Sequence, residues 1–272
     1  MISFEGPVTA REITWRAWRS LGAAFRARPL LFIATLILSA AFGAAIVGIA
    51  PVKTALTVPK FEDFKLLTLS TYLGARILAV LFWAALVAPL AVGIHRFVLL
   101  NESRLARAQV WNFFLWLAAL LLAVLGARAF CLLMASVSFV RSLSEFLVGV
   151  GALIIAVQIV LIFPAIAIGV PAASAEKRLD SGFRMAEGNF WLLMRTVLLT
   201  QLPLMVLRVM LVRVAAGPKP AALLPGQDPP PLPPTTALQW IAGGAAGAVS
   251  IAAIALLAAT LSWLYAAKRK DP

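Results

Sequence analysis

The sequence predicts an all-α, polytopic membrane protein with about six transmembrane helices and further amphipathic helices lying at the membrane surface. Three observations carry this expectation. Hydrophobic residues make up 62% of the chain and charged residues only 13%, whereas a water-soluble domain carries about 25% charge. Six apolar runs are each long enough for a helix, which needs about 20 such residues to cross about 30 Å of hydrocarbon. Cationic residues concentrate in alternate connecting segments, the pattern that membrane orientation leaves in a sequence.

The chain divides into a cytoplasmic amphipathic helix, 1–29, and a six-helix membrane domain, 30–272. The first helix opens with a capping box of Thr9 and Glu12 and is striped by Trp15, Trp18 and Phe25, a pattern for one apolar face. Two placements are open to it: in the headgroup plane with its aromatics at the acyl boundary, or packed on the cytoplasmic rim of the bundle. The first span, Leu30 to Ala50, holds no charge and lies between Pro29 and Pro51. Its "SAAFGAA" would also suit a signal peptidase, but the run is too long for a signal peptide's apolar region, so the span is expected to stay attached.

The second span runs from about Tyr72 to His95. The third starts near Val110 and encloses Arg128. It is either one long tilted helix to Val140 or a crossing complete by about Ala127, followed by an interfacial stretch. The fourth covers about Phe146 to Val170, the fifth Phe190 to Val214 and the sixth Ala237 to Ala266. Capping boxes are expected ahead of the fourth, Ser142 with Glu145, and the sixth, Thr236 with Gln239. Residues 215–236 form an outer loop too rich in proline for helix or sheet and suited to polyproline II.

With six spans, fourteen cationic residues fall on the side that includes Arg28, Arg96, Arg107 and Lys268, and five on the other. Both termini are therefore expected in the cytoplasm. This topology, with attraction to anionic headgroups worth about 1 kcal/mol per basic residue, accounts for the net charge of +13 without nucleic acid as a partner. The expected partners are membrane lipids, anionic ones included.

Other classes are excluded by what is missing. A single cysteine, Cys131, rules out an intrachain disulfide or a cysteine-cluster metal site. The one histidine, His95, sits beside Arg96 at a span end and reads as interfacial. The spans hold almost no Asp or Glu, which argues against a proton- or cation-coupled transporter. No catalytic constellation or cofactor fingerprint is visible, so the expectation is a protein that is not an enzyme and needs no cofactor.

Three segments, "AWRSLGAAFRARPLLFI", "SRLARAQVWNFFLWL" and "RLDSGFRMAEGNFWLLM", each run from basic residues through aromatics into a span. They divide the bundle into three hairpins. The returning spans of the first two carry Pro89 and Pro164, kinks that neighbouring helices can tolerate. Small residues recur at fourfold spacing in the sixth span, Gly243 and Gly247, and in the first, Ser39 with Gly43 and Ala40 with Ala44 and Gly48. Such faces allow close helix approach, either inside the bundle or between copies of a homo-oligomer. Residues 163–203, "FPAIAIGVPAASAEKRLDSGFRMAEGNFWLLMRTVLLTQLP", resemble a bacterial six-helix membrane family that includes the membrane domain sometimes fused to glycerophosphodiester phosphodiesterases. The resemblance implies a fold and an inner-membrane location. It carries over no catalytic residue, since these 272 residues contain no phosphodiesterase domain.

Two groups of residues are candidates for function. Arg128, Gln158, Gln201 and Arg208 are polar groups within the spans. Gln158 and Gln201 are expected to meet or to share a water between the fourth and fifth, because an unpaired amide at that depth is costly. The four could also line the path of a carrier or channel for an anionic or amphipathic solute. The second group is an interfacial anchor and elbow. Leu179, Phe183 and Ala186 form an apolar stripe, Lys177, Asp180 and Arg184 fall on the polar side with Asp180 able to pair with Arg184, and Arg178 is a further basic candidate. Gly188 is expected to end that helix in a left-handed conformation, Asn189 to cap the next, and Phe190 and Trp191 to anchor it at headgroup depth.

Overall fold

Pro29 makes the first corner of the chain. A proline pushes the preceding residue out of the helical region and is favoured at the first position of a helix. Arg28 accordingly has φ −145° and ψ 59°, ending α1 (Ala10–Ala27) and capping α2 (Pro29–Gly48) at the same residue. The computed structural model describes residues 9–49, 66–134, 138–171, 174–187, 189–217 and 235–268. Within them follow α3 (Leu66–Leu100), α4 (Arg107–Met134), α5 (Ser138–Ile159), α6 (Ile162–Ala167), α7 (Ala175–Ala186), α8 (Phe190–Ala216) and α9 (Ala237–Lys268). Among the described residues the protein is all-α.

Five of these helices, α2, α3, α4, α8 and α9, are long and apolar enough to cross a membrane, so the chain is a multi-pass membrane protein by helix length and composition. The fourth predicted span differs. Pro164 has no N–H for the Val160 carbonyl, and its ring crowds that group. The helix therefore stops at Ile159 and resumes at Ile162, with the proline in the first turn of α6, where a missing N–H is harmless. Gly169, at φ 77°, ends α6 with the bonds Val170 N–H to Ala165 O and Gly169 N–H to Ile166 O, both 3.0 Å, a Schellman closure. All six residues of α6 are buried, so this segment ends inside the bundle, and α5 is not among the five helices above.

The third predicted span is a single helix that continues through Arg128 to Met134, with no break at Ala127. The capping box expected at Ser142 is displaced, because α5 already begins at Ser138. The box at Thr236 forms: Gln239 Oε1 accepts from Thr236 N–H at 2.8 Å, and Gln239 N–H donates to Thr236 Oγ1 at 3.3 Å. Most of the proline-rich loop, 218–234, lies outside the described residues.

The small-residue faces of the first and last spans meet inside the chain. Ser39 donates its hydroxyl to the Gly247 carbonyl at 2.6 Å, and Gly43 faces Gly243 while Gly48 faces Trp240, so α2 and α9 run antiparallel. A Cβ on Gly43 or Gly247 would strike the opposite backbone, which is why these positions carry no side chain. The main core lies where α3 and α9 meet α1, α2, α4 and α6, and includes Leu90, Ile94, Ile162 and Leu256. A second cluster joins α1, α5, α7 and α8 to α9 through Ile13, Val157, Leu193 and Leu264.

Candidate functional site

Two surface helices and the α3–α4 corner gather at one end of the bundle, which is its basic end. Thr9 Oγ1 caps α1 by accepting from Glu12 N–H at 3.3 Å. The helix then divides its apolar residues between two faces. Ile13, Ala17 and Ala24 are buried against the bundle, whereas Trp15 and Trp18 are 60% and 44% exposed. The aromatic stripe read from sequence is therefore the outward face, and the smaller residues dock the helix. Trp263 Nε1 donates to Ser20 Oγ at 2.9 Å, and Arg16 lies 5.2 Å above the Trp263 ring. Arg11 and Arg19 are exposed beside the tryptophans, with Arg19 stacked 5.1 Å above Trp15.

The Pro29 corner directs Arg28 inward. Its Nη1 reaches toward Gly93 on α3, flanked by Leu31 and Leu105, in space that only a residue lacking Cβ leaves open. Both terminal nitrogens of Arg28 are buried and make no hydrogen bond. Burial first, and the charge of Arg96 second, hold this guanidinium below the usual arginine range. Arg96 itself is engaged. It pairs with Glu102, and its Nε and Nη1 donate to the carbonyls of Arg104, at 3.1 Å, and Ala167, at 3.4 Å. Asn101 makes that pairing possible. At φ 54° it closes α3 with a bond from its N–H to Phe97 O, the left-handed cap that Asn tolerates, and turns Glu102 back over the helix end.

The second surface helix, α7, starts at Ser174, whose Oγ accepts from Lys177 N–H at 3.2 Å. Gly182 and Ala186 are buried, the former against Ile159 and Ile162, while Phe183 is exposed. Asp180 and Arg184 pair at 2.9 Å, and Lys177 is exposed with Arg178 partly so. Asn189 stands at the cap position of α8 but makes no capping bond; its Nδ2 donates to Glu187 O at 3.0 Å. Phe190 and Trp191 meet edge to face at 5.5 Å, with Trp191 exposed. Gly188 lies outside the described residues.

The intramembrane candidates are not brought together. Arg128 is exposed on α4. Arg208 donates to Ser250 Oγ on α9 at 2.8 Å. Because α5 stops at Ile159, Gln158 stands at a helix end rather than in mid-span, in a cleft of about 620 Å³ with Asp180, Phe183, Arg184 and Phe190. It does not meet Gln201, whose Nε2 is buried without a hydrogen-bond partner.

His95, read from sequence only as a residue at a span end, is fully buried within the protein. Its Nδ1 lies 2.8 Å from Ser262 Oγ. The same hydroxyl lies 2.9 Å from Ala258 O, to which it donates. The ring lines a cavity of about 400 Å³ whose other walls, among them Trp83, Phe113, Leu117 and Leu257, are apolar. Among the described residues, no three His, Cys, Asp or Glu side chains come together. Comparison with protein-family models, with curated proteins and with solved structures finds no match.

Proposed function

We propose that this chain is a non-enzymatic protein of a bacterial inner membrane, that its basic end faces the cytoplasm and binds anionic phospholipid headgroups, and that it serves lipid or envelope handling. One observation carries the reading. Two amphipathic helices at the same end of the bundle, α1 and α7 with the start of α8, present exposed aromatics beside exposed cations: Trp15 and Trp18 with Arg11 and Arg19, and Phe183 and Trp191 with Lys177 and Arg184. Aromatic rings favour headgroup depth and cations favour an anionic surface. The resemblance of residues 163–203 to the six-helix membrane family supports the same location. The alternative, a carrier for an anionic solute, is supported less, because the cavity beside His95 has otherwise apolar walls.

Vesicle binding tests the reading. Replacing Lys177, Arg178 and Arg184 by glutamine should leave folding intact and weaken association with phosphatidylglycerol vesicles by about 1 kcal/mol per charge at low salt, with the difference vanishing as salt screens it. Unchanged binding in that variant, with wild-type protein showing no preference for anionic vesicles, overturns it. Orientation is tested by reporter fusions after residue 272 and near Gly226, which should respond oppositely; equal responses contradict the cytoplasmic placement of both termini.

A further inference from the structure

We infer that the α1–α2 corner is a binding site for a single anionic phospholipid, with its phosphate on Arg28 beside Arg96 and one acyl chain in the neighbouring α3–α4 groove. The inference rests on the lipid-binding reading above and gives it a location.

The polar half of the site follows from a charge without a counterpart. Buried cations in proteins are paired and hydrogen-bonded, because desolvating a lone one is costly. The two Nη atoms of Arg28 are buried and have no protein partner. Arg96, whose charge acts on Arg28, is paired with Glu102. Arg28, Arg96 and Glu102 together leave one positive charge, and Arg104 and Arg107 on the adjoining turn add to it. Where they stand these nitrogens have no open face, but Arg28 as a whole is only partly buried; a small shift of the side chain along Gly93 offers the guanidinium fork to an oxyanion at the corner, which by accepting two parallel N–H bonds satisfies both nitrogens and the charge at once. Gly93 belongs to the same device, since a Cβ there would lie 2.8 Å from Arg28 Nη1.

The apolar half adjoins it. A groove of about 480 Å³ between α3 and α4 is lined by Ala85, Ala88, Pro89, Leu105, Trp111 and Phe114, with Arg107 at its edge. Leu105 lines this groove and also borders the space beside Gly93 that Arg28 enters. On α3 the groove residues Ala85 and Pro89 continue through Gly93 to Arg96 at steps of four, four and three, which keeps them on one helix face. From Gly93 down to Ala85 the helix descends about 12 Å at 1.5 Å per residue, which is acyl-chain territory. The cationic end sits where the surface helix α1 becomes the spanning helix α2, the depth of lipid phosphates. Free phosphate would satisfy Arg28 and leave the groove empty; a phospholipid fills both.

The full-length protein, purified and partly delipidated, should be examined by native mass spectrometry after incubation with phosphatidylglycerol or with digalactosyl diacylglycerol, which carries no phosphate. Wild type should retain one phosphatidylglycerol per chain and release the galactolipid. Arg28→Gln removes two charge-assisted bonds and should weaken that retention about ten- to a hundredfold. Ala85→Phe, which keeps Arg28 and fills an exposed edge of the groove, should also weaken it, and serves if Arg28→Gln does not fold. Equal retention of phosphatidylglycerol by wild type and both variants overturns the site. Displacement of the lipid by inorganic phosphate, with Ala85→Phe unaffected, overturns the lipid in favour of a free anion. If wild type fails to prefer phosphatidylglycerol here yet Lys177, Arg178 and Arg184 still govern vesicle binding, this site fails while the general reading stands; if both fail, the reading itself is wrong.

Discussion

Two corners at the basic end convert a surface helix into a spanning one, and they are built in opposite ways. At the first, a single residue joins α1 to α2, Pro29 sets the turn, and the cationic side chain of Arg28 is folded inward beside Gly93. At the second, α7 ends at Ala186 and α8 begins at Phe190; the cations stay outside, and Trp191 projects outward, 70% exposed. Both segments read alike in sequence, basic residues running through aromatics into an apolar stretch. The difference shows that one sequence pattern can precede a turn whose charge is folded against the protein or a turn whose charge is left outside. The inward corner is the one proposed to hold a lipid; the outward one leaves its cations exposed.

The largest expected effect comes from detaching the first corner. Ile13 is fully buried among Leu193, Leu264 and Tyr265, so Ile13→Ala should destabilise the protein by about 2–5 kcal/mol. Thermal unfolding should record that loss, with retained phospholipid falling alongside it. Unchanged stability would mean that α1 is a passive surface helix and that the two corners are equivalent.

A smaller and more selective effect is expected at Gly93. The added Cβ of Gly93→Ala meets the tip of a flexible side chain rather than backbone, and alanine favours a helix interior by about 1 kcal/mol over glycine. Stability without lipid should hold or rise slightly, while the displaced guanidinium lowers phospholipid retention. A parallel fall in both would mark Gly93 as a packing position only. The smallest effect belongs to the second corner. An N-cap side chain is worth about 0.5–2 kcal/mol where it bonds the helix N–H groups, but Asn189 makes no such bond. Asn189→Ala should therefore cost a few tenths of a kcal/mol at most, and a loss above about 1 kcal/mol by thermal unfolding would reinstate it as a cap.

These contrasts track what the sequence makes legible. Span positions follow from hydropathy because chain length and apolarity are local: α2, α8 and α9 begin and end within about two residues of their expected limits. Capping at Thr9 and Thr236 is local too. Which face of a helix is buried is not, since lipid is as apolar as a protein core and hydropathy cannot separate them. For this reason the tryptophans of α1 drew attention while Ile13, Ala17 and Ala24 did the docking. Hydropathy alone puts Gln158 in mid-span, whereas Pro164 breaks the helix so that it ends at Ile159, one residue beyond the glutamine. Arg28 looked like one topological charge among many. Only the fold brings Gly93, Arg96 and Leu105 to it from positions more than sixty residues away. The signal available in the sequence was the Arg-Pro step, which fixes a corner and therefore the direction of that side chain.

Whether a lipid phosphate completes the partly buried Arg28 is decided by the sign of one mutation in two bilayers. Thermal stability of Arg28→Gln should be compared with wild type in nanodiscs of phosphatidylglycerol and of digalactosyl diacylglycerol. With phosphate present the variant should be less stable, having lost the bonds to its ligand. Without phosphate it should be equal or slightly more stable, because it removes a partly buried charge whose terminal nitrogens have no partner. A shift of the same sign and size in both bilayers would contradict the account.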